Sequence, residues 1–262
     1  MLPAARHQAI IETVQRERVV RVSDLAQQLG VSLMTVRRDI EQLEESRQVE
    51  RIHGGAKLPG EASTHEPGFE LKSTQLTAEK QAIAVEAATL VHEGMAVGLS
   101  AGTTTWALAK ELVKGPRITV VTNSVRIADL FHHGSSSGAA RYGSTVILIG
   151  GERTPSDALV GPIATAALKQ LHLDLLFLGV HGMDAVAGFT TPNVMEAETD
   201  RAFVAAARKL VVLADHSKWG TFGISTIAAL EEADEVISDS GLSGDAQRIL
   251  REQVSRLRIA TV

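Results

Sequence analysis

Apolar residues at helical spacing predict two helices near the start of the chain. Over residues 6–17, Ile10 and Val14 fall about one turn apart and indicate a first helix. A second helix is predicted to begin at Ser23, a residue type that favours the N-cap, and to end at Gly30. The short β-branched stretch between the two helices is predicted to form a turn or a short strand.

A third predicted helix has one apolar face and one face that carries arginines. The apolar face is expected to contain Leu33, Val36, Ile40 and Leu43. Ser32 is expected to cap the first turn, and Arg38 to point away from the apolar face, with Met34 and Thr35 beside it and Arg37 on the flank. This layout is typical of a helix-turn-helix, in which the start of the second helix reaches DNA bases. An αα-hairpin with solvated arginines is the alternative.

A β-hairpin is predicted directly after these helices. Residues 48–52 alternate as a strand does, and His53-Gly54-Gly55 has the composition of a turn. The hairpin would be the wing of a winged helix-turn-helix domain, which we place at residues 1–58. The candidate DNA-binding residues of this domain are Ser32, Met34, Thr35, Arg37, Arg38, Arg51, His53 and Lys57.

The remainder of the chain predicts a linker followed by an α/β domain. Residues 59–75 are rich in turn formers and lack periodicity at their start, so we assign them to the linker. Residues 76–262 alternate between apolar strands and helices, which is typical of a mostly parallel sheet with helices on both faces. A glycine- and serine-rich loop is predicted at 132–145. The predicted strands are 96–99, 118–122, 146–149, 175–178, 210–214 and 235–237, and the predicted helices are 79–91, 104–113, 125–131, 163–171 and 196–208.

Composition narrows the class of protein. With 44% hydrophobic and 22% charged residues among 262, the chain is neither disordered nor fibrous. It has no cysteine, so disulfides, thiolate zinc sites and cysteine nucleophiles are excluded. Its first residues do not resemble a signal peptide, and no apolar run approaches the ~20 residues of a membrane span. We expect a soluble cytoplasmic protein.

The net charge of −5 conceals a gradient along the chain. Residues 1–57 contain nine Lys and Arg against eight Asp and Glu, whereas the remainder contains seventeen against twenty-three. An acidic chain does not coat nucleic acid indiscriminately. Contact with double-stranded DNA is therefore expected from a few placed arginines in the first domain.

Polar and glycine-rich residues follow each strand of the predicted sheet. Ligands of parallel α/β sheets bind beyond the carboxyl ends of the strands, where hydroxyls, a helix start and a lysine suit a phosphorylated sugar. No phosphate-binding motif of ATP or dinucleotide sites is present, and no metal or other cofactor is expected. The candidate effector-binding residues are Ser100, Gly102, Thr103, Thr104, Thr105, Thr122, Asn123, Ser124, Gly151, His181 and Lys218.

Two alternative functions remain open from the residues alone. A sugar-phosphate isomerase would need a carboxylate base and an electrophile. The residues of those types are Asp184, Glu196, Glu198, Asp215 and Lys218. Glutamates at a predicted helix start are more often surface acids that favour the helix dipole. The first domain could also be a helical module that docks a protein.

Taken together, these motifs resemble the DeoR family of transcriptional regulators over nearly the whole chain. The first half carries the resemblance in Val31-Ser32, Thr35 to Ile40, Leu43-Glu44 and Arg51 to Ala56. The second half carries it in Glu79-Lys80, Ala101 to Thr105, Thr122 to Ser124, Gly150-Gly151, Gly179, Gly182, Gly188 and Asp215 to Gly220.

The resemblance implies a sensor domain similar in fold to ribose-5-phosphate isomerase and a non-enzymatic, homodimeric or homotetrameric regulator. Such a protein usually represses genes of sugar uptake or catabolism and is released from operator DNA by a phosphorylated sugar. Ser100 and His181 stand where the family usually has acidic residues, so we expect a different sugar or a more anionic ligand. Arg47 stands where a glycine usually ends the recognition helix.

Overall fold

A computed structural model of the chain contains two compact units, Met1–Ser63 and Thr64–Val262, and each is described by itself. No helix among the described residues is long and apolar enough to cross a membrane. The structure describes residues 3–17, 19–46, 48–52, 54–57, 64, 68–136 and 143–262.

The first unit is a winged helix-turn-helix, as the sequence predicts. In chain order it contains α1 (Pro3–Glu17), β1 (Val19–Arg21), α2 (Val22–Leu29), α3 (Leu33–Glu45), β2 (Glu50–Ile52) and β3 (Gly55–Lys57). The three strands form an antiparallel sheet in the order β1-β3-β2, so the stretch after α1 is a third strand of the wing. Gly30 ends α2 in the left-handed conformation, with φ of 65°, and allows α3 to follow closely.

Two local predictions in this unit are wrong. Ser23 is not an N-cap, because α2 already begins at Val22, whose backbone N–H donates to the carbonyl of Gly54. Leu33 is half-exposed, because it is the first residue of α3 and lies beyond the face that packs inward. The predictions for Arg47 and His53 lie outside the described residues.

An ion pair fixes α3 against α1 within the helical core. Val36 and Ile40 of α3 are fully buried against apolar residues of α1 and α2. Asp39 lies beside them and accepts hydrogen bonds from the Arg6 guanidinium and from His7 Nε2 at 3.1 Å. Burial would raise the pKa of Asp39, but these hydrogen bonds outweigh it and hold the pKa below its usual value. Helix α3 is thus oriented by both apolar contact and charge.

The second unit is a seven-stranded parallel sheet with helices on both faces. The helices are α4 (Phe69–Ser73), α5 (Thr77–Ala88), α6 (Thr103–Leu112), α7 (Val125–Ser136), α8 (Pro162–Leu168), α9 (Val194–Ala206) and α10 (Gly244–Gln253). The strands are β4 (Ala96–Leu99), β5 (Thr119–Thr122), β6 (Thr145–Leu148), β7 (Glu152–Arg153), β8 (Leu159–Val160), β9 (Leu175–Gly179), β10 (Gly182–Asp184), β11 (Gly188–Thr191), β12 (Leu210–Leu213), β13 (Ser225–Ala228), β14 (Glu235–Asp239) and β15 (Leu257–Ala260). The order of strands in the main sheet is β15-β14-β12-β9-β4-β5-β6, and the same unit contains two smaller antiparallel sheets, β10-β11-β13 and β7-β8.

Two predicted irregular segments are partly helical. Within the predicted linker, α4 forms because buried Phe69 packs edge-on against Trp106, with ring centroids 5.7 Å apart. Within the predicted loop over 132–145, α7 continues to Ser136. The residues from 137 to 142 lie outside the described part of the chain.

The central strand β9 is buried on both faces. One apolar core contains Leu176 and Leu178, and a second contains Leu175 and Phe177, as alternation along a strand requires. Its neighbours β4 and β12 run parallel to it. The residues that follow these three strands therefore meet at one edge of the sheet.

We predict that Phe177→Ala destabilises the second unit by about 3–5 kcal/mol, because it removes a fully buried ring from the centre of the sheet. Guanidinium unfolding followed by tryptophan fluorescence measures this, since Trp106 and Trp219 both belong to that unit. Val186→Ala is the control, because Val186 is 97% exposed and its loss should change stability by less than about 0.5 kcal/mol. Equal effects of the two changes would contradict the described core.

Candidate functional site

A polar cleft lies at the carboxyl edge of the central strands in the second unit. It receives residues that follow β4, β9, β11 and β12, together with side chains of α4 and α9. Five of the predicted effector-binding residues line it: Gly102, Thr103, Thr104, His181 and Lys218. The other lining residues are Lys72, Ala101, Gly179, Val180, Thr191, Pro192, Glu196 and Asp200.

The turn between β4 and α6 presents a helix N-terminus to this cleft. Gly102 is the N-cap of α6, and Thr103 and Thr104 are its first residues. The first N–H groups of a helix have no intrahelical acceptor and carry partial positive charge, which favours an anion. A Cβ atom at position 102 would lie 3.1 Å from Thr105 Oγ1, so glycine leaves space beside the first turn of α6.

Four predicted ligand residues instead support the turn from below. Ser100 is buried, and its Oγ accepts from the N–H of Gly179 at 2.9 Å, which joins the ends of β4 and β9. Buried Asn123 accepts from the N–H of Ala101 at 2.8 Å. The remaining two donate to nearby carbonyls: Thr105 Oγ1 to Gly102 at 3.0 Å and Thr122 Oγ1 to Leu99 at 2.7 Å.

The two other predicted residues lie away from the cleft lining. Ser124 is buried at the start of α7, where its Oγ accepts from the N–H of Ile127 at 3.3 Å. Gly151 has φ of 146°, and a Cβ there would lie 2.4 Å from the carbonyl oxygen of Val160. Both shape the loops that follow β5 and β6.

A fixed 3₁₀ turn positions Lys218. The turn spans His216–Lys218 and follows β12, with Asp215 Oδ1 accepting from the N–H of Ser217 at 3.1 Å. His216 Nδ1 lies 2.7 Å from Asp239 Oδ2, at the end of β14. Burial would lower the pKa of His216, but the hydrogen bond and charge of Asp239 outweigh it and raise that pKa. The ammonium of Lys218 is thus held on a rigid support.

A second lysine reaches the cleft from α4, which the sequence assigns to the linker. Lys72 lines the cleft, and the carbonyl of Lys72 accepts from Lys80 Nζ at 2.6 Å. Lys80 also donates to the carbonyl of Gln75 at 2.6 Å. Burial lowers the pKa of Lys80 to about 8. This buried lysine ties the segment that carries Lys72 to α5.

Two acidic residues of α9 complete the cleft: Glu196, which the sequence offers only as a candidate base of the isomerase alternative, and Asp200, which sequence reasoning missed. Glu196 is half-buried, and Asp200, one turn later, is only 3% exposed. Burial, reinforced by the charge of Glu196, raises the pKa of Asp200 well above its usual value. The signal was present in the spacing, because Asp200 falls in the inward stripe with Ala197 and Phe203. The cleft is therefore bipolar, with lysines and a helix start as well as two carboxyl groups.

The described residues contain no cluster of three or more His, Asp or Glu side chains suited to a metal ion. The groups that line the cleft are hydrogen-bonding and charged side chains together with a helix N-terminus.

In the first unit, the start of α3 presents the predicted recognition residues. Met34 is 68% exposed, and Arg37 and Arg38 are also exposed. Ser32 is the N-cap, and its Oγ accepts from the N–H of Thr35 at 3.1 Å. Thr35 is half-buried, and its hydroxyl lies 2.8 Å from that of Ser32. The exposed arginines stand on a well-capped helix start, as direct base contact requires.

The predicted DNA-binding residues of the wing differ from one another in their surroundings. Arg51 donates to Glu41 Oε1 at 2.8 Å, so it is already paired with the acidic end of α3. Lys57 lies on β3 opposite Glu50, and His53 lies outside the described residues.

Two family models match the chain, one on each unit. Residues 6–62 match a DeoR-like helix-turn-helix domain, and residues 75–240 match a DeoR C terminal sensor domain. The chain is 37% identical to the HTH-type transcriptional regulator GlpR of Haloferax volcanii, over 100% of this chain and 98% of the relative. It is 34% identical to the uncharacterized HTH-type transcriptional regulator YgbI of Escherichia coli, over 99% of each. These relatives confirm the expectation of a regulator rather than an enzyme.

Two further likenesses are more distant. The glycerol-3-phosphate regulon repressor of Escherichia coli is 29% identical over 99% of this chain and 100% of its own length. Ribose 5-phosphate isomerase A of Methanocaldococcus jannaschii matches 53% of each chain, at 18% identity and a TM-score of 0.38. The α/β architecture of this chain rests on its own strand order.

The buried Lys80 generates a pH-dependence prediction. The folded protein holds this proton less tightly than the unfolded chain, so stability rises as the pH passes from about 8 towards the ordinary lysine pKa. We predict that the free energy of unfolding of wild type, relative to that of Lys80→Met, increases by about 2 kcal/mol between pH 7 and pH 9.5, because the pKa of Lys80 is lowered. Denaturant unfolding measures the difference. The exposed Lys169→Met should show no such trend, and a flat difference for Lys80→Met would contradict the burial of this charge.

Proposed function

Because the chain belongs to the DeoR family of transcriptional regulators, we propose that it represses genes of sugar uptake or catabolism under the control of a phosphorylated sugar. The phosphorylated sugar binds the cleft of the sensor domain and releases the protein from operator DNA. One relative is named a glycerol-3-phosphate regulon repressor, which supports a phosphorylated effector here. The observation that carries the proposal is the bipolar cleft at the carboxyl edge of β4, β9 and β12.

The phosphate group is assigned to the cationic part of that cleft. The amides of Thr103 and Thr104 would donate to its oxygens, and Lys218 and Lys72 would neutralise its charge. His181 follows β9 and faces the same space. Ser100, Thr105, Thr122 and Asn123 hold this surface in place through their internal hydrogen bonds.

The operator is assigned to the exposed start of α3 and to the wing. Arg37, Arg38 and Met34 would reach base edges in the major groove, with Ser32 and Thr35 near the backbone. Arg51 and Lys57 of the wing would contact phosphates. For this contact Arg51 must give up its hydrogen bond to Glu41 and donate to a phosphate oxygen instead.

Effector and operator would be coupled by about 1–3 kcal/mol, which corresponds to roughly 5–150-fold in operator affinity. The coupling acts in a homodimer or homotetramer, since a two-fold operator requires two recognition helices. We place the protein in the cytoplasm, where both DNA and phosphorylated sugars occur.

The effector assignment predicts thermal stabilisation by phosphorylated compounds alone. The panel contains glycerol 3-phosphate, fructose 1-phosphate, ribose 5-phosphate and glucose 6-phosphate, each beside its unphosphorylated parent. At about 100 times its dissociation constant, the effector should raise Tm by roughly 5–10 °C. Lys218→Ala should weaken binding about ten- to hundredfold by removing a charged hydrogen bond, whereas the exposed Lys169→Ala should not. An equal shift by an unphosphorylated parent, or full binding by Lys218→Ala, would overturn the assignment.

The operator assignment predicts that Arg38→Ala weakens binding to DNA from the upstream region of its own gene by about 1–3 kcal/mol, if the guanidinium pairs with a base. Fluorescence anisotropy with a labelled duplex at fixed salt measures this. Arg208→Ala removes the same charge from the exposed surface of the sensor domain and should leave affinity unchanged. Undiminished binding by Arg38→Ala would remove this residue from the interface.

A further inference from the structure

We propose that Asp200 and Glu196 form a subsite that binds the hydroxyl groups of the phosphorylated effector. This inference rests on the proposed function and adds to it the recognition of the sugar itself. Both side chains come from α9 and line the same cleft as Lys72 and Lys218. The subsite would let the sensor distinguish a phosphorylated sugar from phosphate alone.

Asp200 is the main observation behind this assignment. It is only 3% exposed and lines the cleft, and no residue that the structure describes forms a hydrogen bond with its carboxyl group. Its oxygens are not sealed from solvent, because Ser238 Oγ is the one fully buried side-chain atom without a partner among the described residues. A largely buried carboxyl group that opens onto a cleft takes its hydrogen bonds from what occupies that cleft. Because Asp200 lines the cleft, its missing partner can come from a bound molecule.

Glu196 differs from Asp200 in its surroundings. Thr191 Oγ1 donates to Glu196 Oε2 at 3.2 Å, and Ser156 Oγ lies 3.4 Å from Oε1. The α9 N-cap, Asn193, accepts from the N–H of Glu196 at 3.2 Å and fixes its backbone. Glu196 thus offers oriented acceptor oxygens one helical turn from Asp200.

The two carboxyl groups offer different hydrogen-bonding roles. Burial and the charge of Glu196 raise the pKa of Asp200, and the neighbouring Arg201 opposes this only in part. From the other elements around the cleft, Lys72, His181 and Lys218 also face this space. A protonated Asp200 both donates and accepts, whereas the oxygens of Glu196 accept. This combination suits hydroxyl groups, while the phosphate remains with the lysines.

The subsite supplies carboxyl groups to a cleft whose strand ends lack them. Ser100 and His181 lie at the ends of β4 and β9, where the resemblance to the DeoR family leads us to expect acids. Carboxyl groups nevertheless reach the cleft, from α9 rather than from the strand ends. We therefore infer that the effector retains free hydroxyl groups and is not simply a more anionic molecule.

Binding to four matched variants tests the subsite. The full-length protein is titrated calorimetrically with inorganic phosphate and with the phosphosugar of the panel that most raises its Tm. Asp200→Asn keeps the shape, one donor and one acceptor of a protonated carboxyl group, and Asp200→Ala removes the whole carboxyl group. Glu196→Gln replaces one carboxyl oxygen with an NH2 donor. Glu198→Gln is the control, because Glu198 is exposed on the same helix.

We expect Asp200→Ala to bind the phosphosugar at least about tenfold more weakly, because a ligand hydroxyl loses its partner. Inorganic phosphate should bind wild type and Asp200→Ala within about threefold of each other, since it does not use the subsite. Glu196→Gln should also weaken the phosphosugar selectively. Unchanged phosphosugar affinity in Asp200→Ala, or equal losses for both ligands, would overturn the subsite while leaving the proposed function intact. If no phosphosugar binds wild type, the proposed effector fails, and the subsite fails with it.

The protonation of Asp200 has two separate readouts. As pH rises through the raised pKa of Asp200, phosphosugar affinity of wild type should fall relative to Asp200→Asn, because only wild type loses its O–H donor and gains a negative charge. Without ligand, the native state holds this proton more tightly than the unfolded chain, so wild type should lose stability relative to Asp200→Asn as pH rises above about 4. If neither the relative affinity nor the relative stability of wild type and Asp200→Asn changes with pH, Asp200 is not a protonated donor.

Discussion

The parallel pairing of β4, β9 and β12 is the constraint on which the sensor domain depends. Because the three strands run in the same direction side by side, every residue that follows them is brought to one edge. The helix start after β4, His181 after β9 and Lys218 after β12 thereby face one cleft. The apolar cores on both faces of β9 fix this edge in place.

The polar residues around the cleft are of two kinds. Some form hydrogen bonds within the protein and hold the cleft in place, and others are available to contact a ligand. Ser100 joins the ends of two strands, and Asp239 holds the turn that leads to Lys218. Lys80 performs a comparable role beneath α4, at the cost of burying a charge. Asp200 is different, since it is buried without a hydrogen bond from the described protein. Its carboxyl group opens onto the cleft and is therefore a candidate contact for a ligand.

Sequence reasoning predicts the fold well and the cleft only in part. Periodicity and turn residues predict α3, its cap Ser32 and the parallel sheet, because these depend on local patterns. They do not predict that Ser100 and Asn123 form internal hydrogen bonds, because a polar residue after a strand can bond inward as readily as outward. They miss Lys72 and Asp200, because the first lies on a short helix created by a tertiary contact of Phe69 and the second lies on the inward face of α9.

The most direct test of the central claim is a crystal structure of the full-length protein bound to the phosphosugar that raises its Tm most. The account predicts the phosphate at the amides of Thr103 and Thr104 beside Lys218, with a sugar hydroxyl within hydrogen-bonding distance of Asp200. A phosphate bound at any other edge of the sheet, or a sugar that leaves Asp200 without a partner, would contradict it.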